Sequence, residues 1–361
     1  MSSDSKKFEE CIEKITYGNK IQRTEYLNHG RYPIVSQESN LINGYWDDEE
    51  DVYKVEKPVI IFGDHTRILK YIDFSFVLGA DGTKIIKPKP FLDSKFFYYF
   101  LQANPVESKG YSRHYRFLKE LKLNIPPLPL QKKIVAKLDA TFSEIDKSTI
   151  AAEANVKNSD ALFQSYLTEI FEHGGDSWLS DAIGNLCTEL FAGGDVPKDR
   201  MSKSETSEFF IPIFTNGEKD KGLYGFTNTP RVTKPSITIS ARGTIGYSEI
   251  RYKPFFPAIR LLVATPNTEI IELDYLKYAI KSLKFIYSGA SIPQLTVPMV
   301  KNYQIKLPKS KKEQIEIIRK LDNLSIEIEN LRNSAVEKLI QLTNLRQSIL
   351  NQAFNGELVK E

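Results

Sequence analysis

Cysteine is scarce in this chain: 361 residues hold two, Cys11 and Cys187, with no C-x-x-C pair. Neither a disulfide framework nor a zinc site can be built from them. The four histidines, His29, His65, His114 and His173, lack ligand spacing, so no metal is implied. Long apolar runs are missing too. Stretches such as Arg260–Ala264 fall far short of the ~18 residues a membrane span needs. The opening Met1-Ser-Ser-Asp-Ser-Lys-Lys7 carries no apolar signal core, and the expected location is the cytoplasm. Neither sign of charge dominates, since 49 Lys+Arg against 46 Asp+Glu leave a net +3. A composition 41% apolar and 26% charged excludes wholesale disorder, and the length suggests two or three domains.

Proline and glycine are absent from two stretches, and those stretches are copies of each other. Gln131-Lys-Lys-Ile-Val-Ala-Lys-Leu-Asp139 returns as Gln314-Ile-Glu-Ile-Ile-Arg-Lys-Leu-Asp322, an offset of 183. The register holds without a gap to Gln164-Ser-Tyr-Leu167 and Phe171, matched by Gln347-Ser-Ile-Leu350 and Phe354, with 13 identities over 41 positions. Unbroken register over that length predicts one long helix per copy, each ending at a glycine, Gly174 or Gly356. Such a helix spans about 60 Å and needs a partner. In the second copy Leu321, Leu324, Ile328, Leu331, Ala335, Lys338, Leu342, Leu345 and Ile349 alternate by threes and fours, a coiled-coil seam with one lysine. The first copy carries a rougher stripe of Leu138, Phe142, Ile145, Ala152, Val156, Leu162, Phe163 and Tyr166. Each helix is the natural mate of the other.

Before each helix lies a region rich in Gly, Pro, aromatic and β-branched residues, with strand-like runs such as Val59-Ile-Ile-Phe62 and Ser236-Ile-Thr-Ile-Ser240. These regions share landmarks at an offset near 179. Tyr32-Pro-Ile-Val35 matches Ile211-Pro-Ile-Phe214, Phe97–Leu101 matches Leu276–Ile280, and Gly110-Tyr-Ser112 matches Gly289-Ala-Ser291. The expected fold is α/β (mixed α+β): a pseudo-two-fold tandem repeat of two globules separated by two long antiparallel helices forming a coiled coil. The expected boundaries are a first globule 1–130, first helix 131–173, second globule 174–313, second helix 314–356 and a tail 357–361.

Charge is distributed unevenly. The stretch 173–313 carries +5 and the first globule +1, while the helices carry none in excess. Cations among glycines and aromatics suit a surface that grips a polyanion and reads base edges. In the first globule the candidates are Arg67, Lys70, Lys84, Ser112, Arg113, His114 and Arg116. In the second they are Lys198, Arg200, Asn216, Lys219, Lys221, Arg231, Arg242, Ser291 and Gln294, with Lys234 and Arg260 in the same basic set. The acidic run Asp47–Asp51 reads as a solvated loop facing away from phosphate.

Catalytic signatures fail in turn. Gly289-Ala-Ser-Ile-Pro293 lacks the last glycine of a nucleophile elbow. Gly79–Lys84 is too short for a phosphate-binding loop, and Gly243-Thr-Ile-Gly246 follows a strand pattern, so both read as turns. Glu120-Leu-Lys122 has no upstream Pro-Asp partner for a nuclease set.

Taken together, Pro127–Asp139 with its repeat Glu313–Asp322, and Gly194-Asp-Val-Pro-Lys198, Ile239–Gly246 and Ser288–Gln294, resemble the conserved and target-recognition segments of type I restriction-modification specificity subunits. The resemblance covers nearly the whole chain. It implies a non-catalytic subunit in which each globule recognises one half of a bipartite double-stranded DNA sequence. The paired helices would set the gap and dock two methyltransferase subunits, and restriction/translocase subunits would complete the enzyme. S-adenosylmethionine, ATP and Mg would belong to those partners, with no cofactor in this chain. The globules differ, Phe62–Thr66 standing where the second has Ser240–Thr244, which implies an asymmetric target. Two rival readings are a single-chain DNA methyltransferase or nuclease and a non-DNA coiled-coil scaffold. The first would need an Asn/Asp-Pro-Pro-aromatic loop, and Asn124-Ile-Pro-Pro127 has an insertion and no aromatic.

Overall fold

The computed structural model describes residues 4–358 except 17, 111, 176 and 287–292, so expected site residue Ser291 lies outside the described residues. The chain divides into two units. Unit one is Met1–Ala152 with Glu337–Glu361, and unit two is Glu153–Val336.

Unit one has a four-stranded sheet ordered Gly44–Trp46, Tyr32–Val35, Phe76–Leu78, Val52–Tyr53 and a three-stranded sheet ordered Leu69–Ile72, Val59–Gly63, Thr83–Ile86. Val59–Gly63 is apolar and buried at every position, as a strand covered on both faces must be. A strand pair, Asp4–Lys7 antiparallel to Lys122–Ile125, flanks them. The helix Ser94–Ala103 starts where the Asp93 carboxylate accepts the Lys95 and Phe96 backbone N–H groups, each at 2.9 Å. It buries Phe96, Phe97, Phe100 and Leu101.

Unit two repeats this plan. One sheet runs Cys187–Ala192, Leu262–Pro266, Ser236–Ile239, Ser248–Arg251, and the other Met201–Ser202, Leu223–Thr227, Ile211–Phe214, Phe256–Pro257. The flanking pair is Leu179–Ala182 with Gln304–Leu307, and the helix is Leu273–Ser282. Gly243–Gly246 joins the paired strands Ser236–Ile239 and Ser248–Arg251, while Gly79–Gly82 carries the chain from one sheet of unit one to the other.

Two helices exceed forty residues, Leu128–Thr168 and Lys311–Phe354. The first opens with Pro129 inside its first turn, where a missing N–H costs nothing, and closes through a wider turn, Glu169–His173. Gly174 and Gly356 follow with φ of 58° and 82°, the region glycine enters without penalty.

The repeated residues have repeated jobs. In unit one, Gln131 is fully buried; its Oε1 accepts Asp93 N at 2.8 Å while Nε2 donates to Phe91 O at 3.0 Å and Pro126 O at 2.8 Å. In unit two, Gln314 is equally buried and accepts Glu272 N at 2.9 Å while donating to Ile270 O at 3.0 Å and Pro308 O at 3.2 Å. Tyr99 donates to Asp139 at 2.5 Å, and Tyr278 to Asp322 at 2.6 Å. Burial first, and the adjacent carboxylate second, hold both phenols well above their ordinary range. The amide of each long helix thus fixes the entry to its unit's short helix, and the aspartate anchors that helix's tyrosine.

Phenylalanines repeat this division. Phe354 meets Phe96 and Phe100 in unit one, at 5.1 and 5.5 Å between ring centroids, while Phe171 meets Tyr275 in unit two at 5.3 Å. Leu138, Phe142 and Ile145 lie in the unit one core with Leu350 and Ala353; Leu167 and Leu321 lie in that of unit two. Ile328 is buried, and Leu324, Leu342 and Ile349 are half-buried. Four residues expected in the helix seam are not there. Leu162, Tyr166, Leu331 and Leu345 are 45–61% exposed, because the helices bury residues against their globules as well as against each other, and this departs from an even heptad stripe.

Candidate nucleic-acid interface

Four loops meet in each unit, and two of the backbone bonds that join them are the same in both. In unit one Val35 O accepts Gly79 N at 3.0 Å, bringing the loop after Tyr32–Val35 to the turn after Phe76–Leu78. Asp64 N donates to Gly82 O at 2.7 Å, and His114 N to Asp64 O at 2.8 Å, adding the hairpin after Val59–Gly63 and the segment 112–115. In unit two Ala258 N donates to Phe214 O at 2.9 Å, and Leu295 N to Ala241 O at 2.9 Å.

Backbone with positive φ concentrates at these loop tips. Among non-glycine residues it occurs at Arg67 (61°) in unit one and at Asp220 (49°), Lys221 (52°), Ile259 (51°) and Arg260 (63°) in unit two. Each such residue costs stability and persists only where its surroundings impose it. The loop bearing Lys219 and Lys221 is held from below by Arg251. That guanidinium is buried, lies 3.6 Å from the Phe214 ring centroid, and donates to Thr238 Oγ1 at 3.1 Å and Lys221 O at 2.5 Å. Burial works against its charge and lowers its pKa, and Glu249, then Tyr247, oppose that.

The expected contact residues fall into three groups. Exposed cations stand at or beside the loops: Arg67, Arg113 and Arg116 in unit one, and Lys198, Arg200, Lys219, Lys221 and Arg231 in unit two. Arg116 lies over Phe117 at 4.8 Å and Arg231 over Phe191 at 4.9 Å, poses that stiffen a long side chain. Lys84 and Ser112 are half-buried, with Lys84 Nζ 5.8 Å from the Tyr115 ring. Burial and then the charge of Lys84 lower the pKa of Lys20; Asp81 and Asp64 oppose, and Arg113 adds a weaker push down. Lys20, Lys84 and Arg113 therefore share one local field. In unit two the Arg242 guanidinium grips Gln294 Oε1 through Nε at 3.3 Å and Nη2 at 2.7 Å, joining two candidates.

Three candidates are internal supports instead. Lys70 is 5% exposed and donates to Asn40 O and, at 3.1 Å, to Asn43 Oδ1; burial pulls its pKa down to about 8. Strand parity explains this, since Lys70 shares the inward face of Leu69–Ile72 with Ile72. His114 is fully buried, its Nε2 accepting Lys109 N at 3.1 Å and its Nδ1 meeting Asp64 O at 3.0 Å. With Nε2 accepting, the proton belongs on Nδ1. Asn216 spends its amide on the protein: Oδ1 accepts Ala241 N at 2.7 Å and Nδ2 donates to Ile259 O at 2.5 Å. Gln37, Asp64 and Ile259 belong to this frame too, and charge and motif alone do not single them out. The offset of 179 that aligns Val35 with Phe214 also aligns Gln37 with Asn216, and that is a signal in the sequence. Among the described residues, no group of three His, Cys, Asp or Glu is placed to hold a metal ion, and no helix is long and apolar enough to cross a membrane.

Residues 4–156 and 178–338 each match the sequence profile of the type I restriction modification DNA specificity domain. The chain belongs to that family. Each matched segment spans one complete set of four loops. Within the family, the chain is 31% identical over 209 residues to a type I specificity subunit, S.MpnORF507P, of Mycoplasma pneumoniae, described as putative; the match covers 58% of this chain and 56% of that relative. It is 23% identical over 372 residues to the EcoR124I/EcoR124II specificity subunit of Escherichia coli, covering 91% of this chain and 86% of that one. A solved chain from work on complex assembly and conformational transition of the type I R-M system shares the fold, with a TM-score of 0.76, 19% identity and 98% of each chain covered.

Proposed function

We propose that this chain is the non-catalytic DNA-reading subunit of a type I restriction-modification enzyme, each unit recognising one half of a bipartite, asymmetric double-stranded target. The observation that carries this reading is the duplicated four-loop frame bearing different side chains. Arg67 and Arg113 stand on one copy, and Lys219, Arg242 and Arg260 on the other. A shared frame with unlike tips suits two readers of unlike sequence.

The two long helices act as an antiparallel coiled-coil spacer between globules 1–130 and 174–313. Consistent with this, the Arg346–Asp146 pair at 2.5 Å links the two helices within unit one. Arg332 and Asp160 link them within unit two at 3.8 Å. The spacer sets the unread gap between the two half-sites.

Two methyltransferase subunits dock on the spacer, and restriction/translocase subunits join them. In support, Leu162 and Leu345 are identical at matching repeat positions and remain 45% and 48% exposed, which a helix seam does not require. Two equal apolar points suit two copies of one partner. S-adenosylmethionine, ATP and Mg belong to those partners, and the assembly works in the cytoplasm. The test is sequencing of modified bases in cells carrying this chain with its modification subunit: a split, asymmetric motif is expected, and a perfect palindrome or no motif refutes the reading. Removing about one heptad from each helix should change the unread gap and leave both half-sites intact.

A further inference from the structure

We propose that Gln37 and Asn216 are equivalent positioning residues, one in each unit, whose side-chain amides set the base-reading tips without touching DNA themselves. This rests on the DNA-reading function proposed above. It adds which tips do the reading: the hairpin Asp64–Arg67 with the turn Ala80–Gly82 in unit one, and Ala241–Gly243 with Ile259–Arg260 in unit two.

The two amides occupy one place in the repeated frame. Each follows, two residues on, the strand end whose carbonyl accepts the backbone N–H of Gly79 or Ala258. From there Gln37 Oε1 accepts His65 N at 3.1 Å, and Asn216 Oδ1 accepts Ala241 N at 2.7 Å. Both clip the hairpin that follows the central strand of their unit. Each also reaches the second tip. Asn216 Nδ2 donates to Ile259 O, and a Cβ built on Gly82 would lie 2.9 Å from Gln37 Oε1 and 3.1 Å from its Nε2. Gln37 adds a backbone bond, its carbonyl accepting Thr66 Oγ1 at 2.7 Å.

What the clips hold is costly to hold. Ile259 and Arg260 are consecutive residues with positive φ, Ile259 being β-branched, and Gly82 and Arg67 have φ of 75° and 61°. Left-handed backbone at a β-branched residue relaxes unless something fixes it. The side chains so displayed include an exposed apolar group and exposed cations: Ile259 at 43% exposure next to Arg260 in unit two, and Arg67 on the hairpin of unit one. That combination matches a base edge, where arginine donates to guanine and an apolar group meets a thymine methyl. Each amide oxygen is engaged by a hairpin N–H, and Asn216 also gives one N–H to Ile259 O, so both side chains are turned toward the protein and their role is to aim their neighbours.

The experiment uses the full chain with its modification subunit and reads the modified motif by sequencing, with thermal melting alongside. Asn216→Ala should reduce discrimination about tenfold at one or more positions of one half-site and leave the other unchanged. Gln37→Ala should do the same to the other half-site alone. Asn228→Ala, an exposed asparagine outside the clip, should change neither. If Asn216→Ala fails to fold, Arg260→Ala and Ile259→Ser at the exposed tip decide, and each should relax that same half-site. A folded Asn216→Ala or Gln37→Ala protein that marks the parental motif with undiminished preference overturns the inference. So does equal relaxation of both half-sites by one variant, or an unchanged half-site with Arg260→Ala and Ile259→Ser. A parental complex that marks no split motif refutes the underlying function instead, which separates the two failures.

Discussion

Replacing Gln314 by leucine tests whether the repeated glutamines are structural clamps. Leucine nearly fills the same space but leaves Glu272 N, Ile270 O and Pro308 O without the partners they have at 2.9, 3.0 and 3.2 Å. Three neutral hydrogen bonds at ~1 kcal/mol each give a loss of about 3 kcal/mol, a large share of the ~5–15 kcal/mol that holds a typical domain. For a unit of this size that is a fall in Tm of about 6–12 °C. Gln131→Leu removes the matching three bonds in unit one and should cost the same. Calorimetry measures the shift, and amide hydrogen exchange should show faster exchange at the start of helix Leu273–Ser282 in one variant and of Ser94–Ala103 in the other. Shifts below about 2 °C in both variants, or exchange unaltered at those two helix starts, would refute the clamp.

Phe171→Ala, at 6% exposure, should cost about 3 kcal/mol in urea unfolding through loss of its packing on Tyr275. A loss under ~1 kcal/mol would place the ring outside the core. Lys70, with a pKa lowered to about 8 from 10.5, carries fewer protons in the folded state than in the unfolded chain across that window. Its contribution to stability therefore rises with pH between about 8 and 10.5, and parental stability minus that of Lys70→Met should increase over that range. A flat or falling difference contradicts the assignment. Leu162→Asp and Leu345→Asp should each lower the number of bound modification subunits from two to one by native mass spectrometry, and the double variant should bind none. Replacing Lys198 and Arg200 with alanine should flatten the salt dependence of DNA affinity, the slope falling by about one for each phosphate that no longer meets a cation.

The duplication is legible because a helix tolerates no gap, so a fixed offset held over forty residues marks two copies of one rod. The globules are harder, since loops between strands vary in length: the offset is 179 from Gln37 to Asn216 but 177 from Asp64 to Ala241. Heptad counting misplaces Leu162, Tyr166, Leu331 and Leu345 because it assumes one partner along the whole length. Here Leu138 and Phe142 sit in a core that also holds Phe96 and Phe97 of the globule. Lys70 can be placed by alternation with Ile72. His114 cannot, for its burial depends on Asp64, fifty residues away in sequence. Asn216 has the composition of a base reader, and only its two backbone partners reveal the other role.

The core of unit one combines Phe8 and Cys11 with Leu350 and Ala353, whereas unit two draws on one continuous stretch of chain. On the ribosome the order of completion is therefore reversed: the globule translated first finishes second. Until 337–358 emerge, about 10–40 seconds later at ~5–20 residues per second, Leu138, Phe142 and Ile145 lack their cover and are open to chaperones.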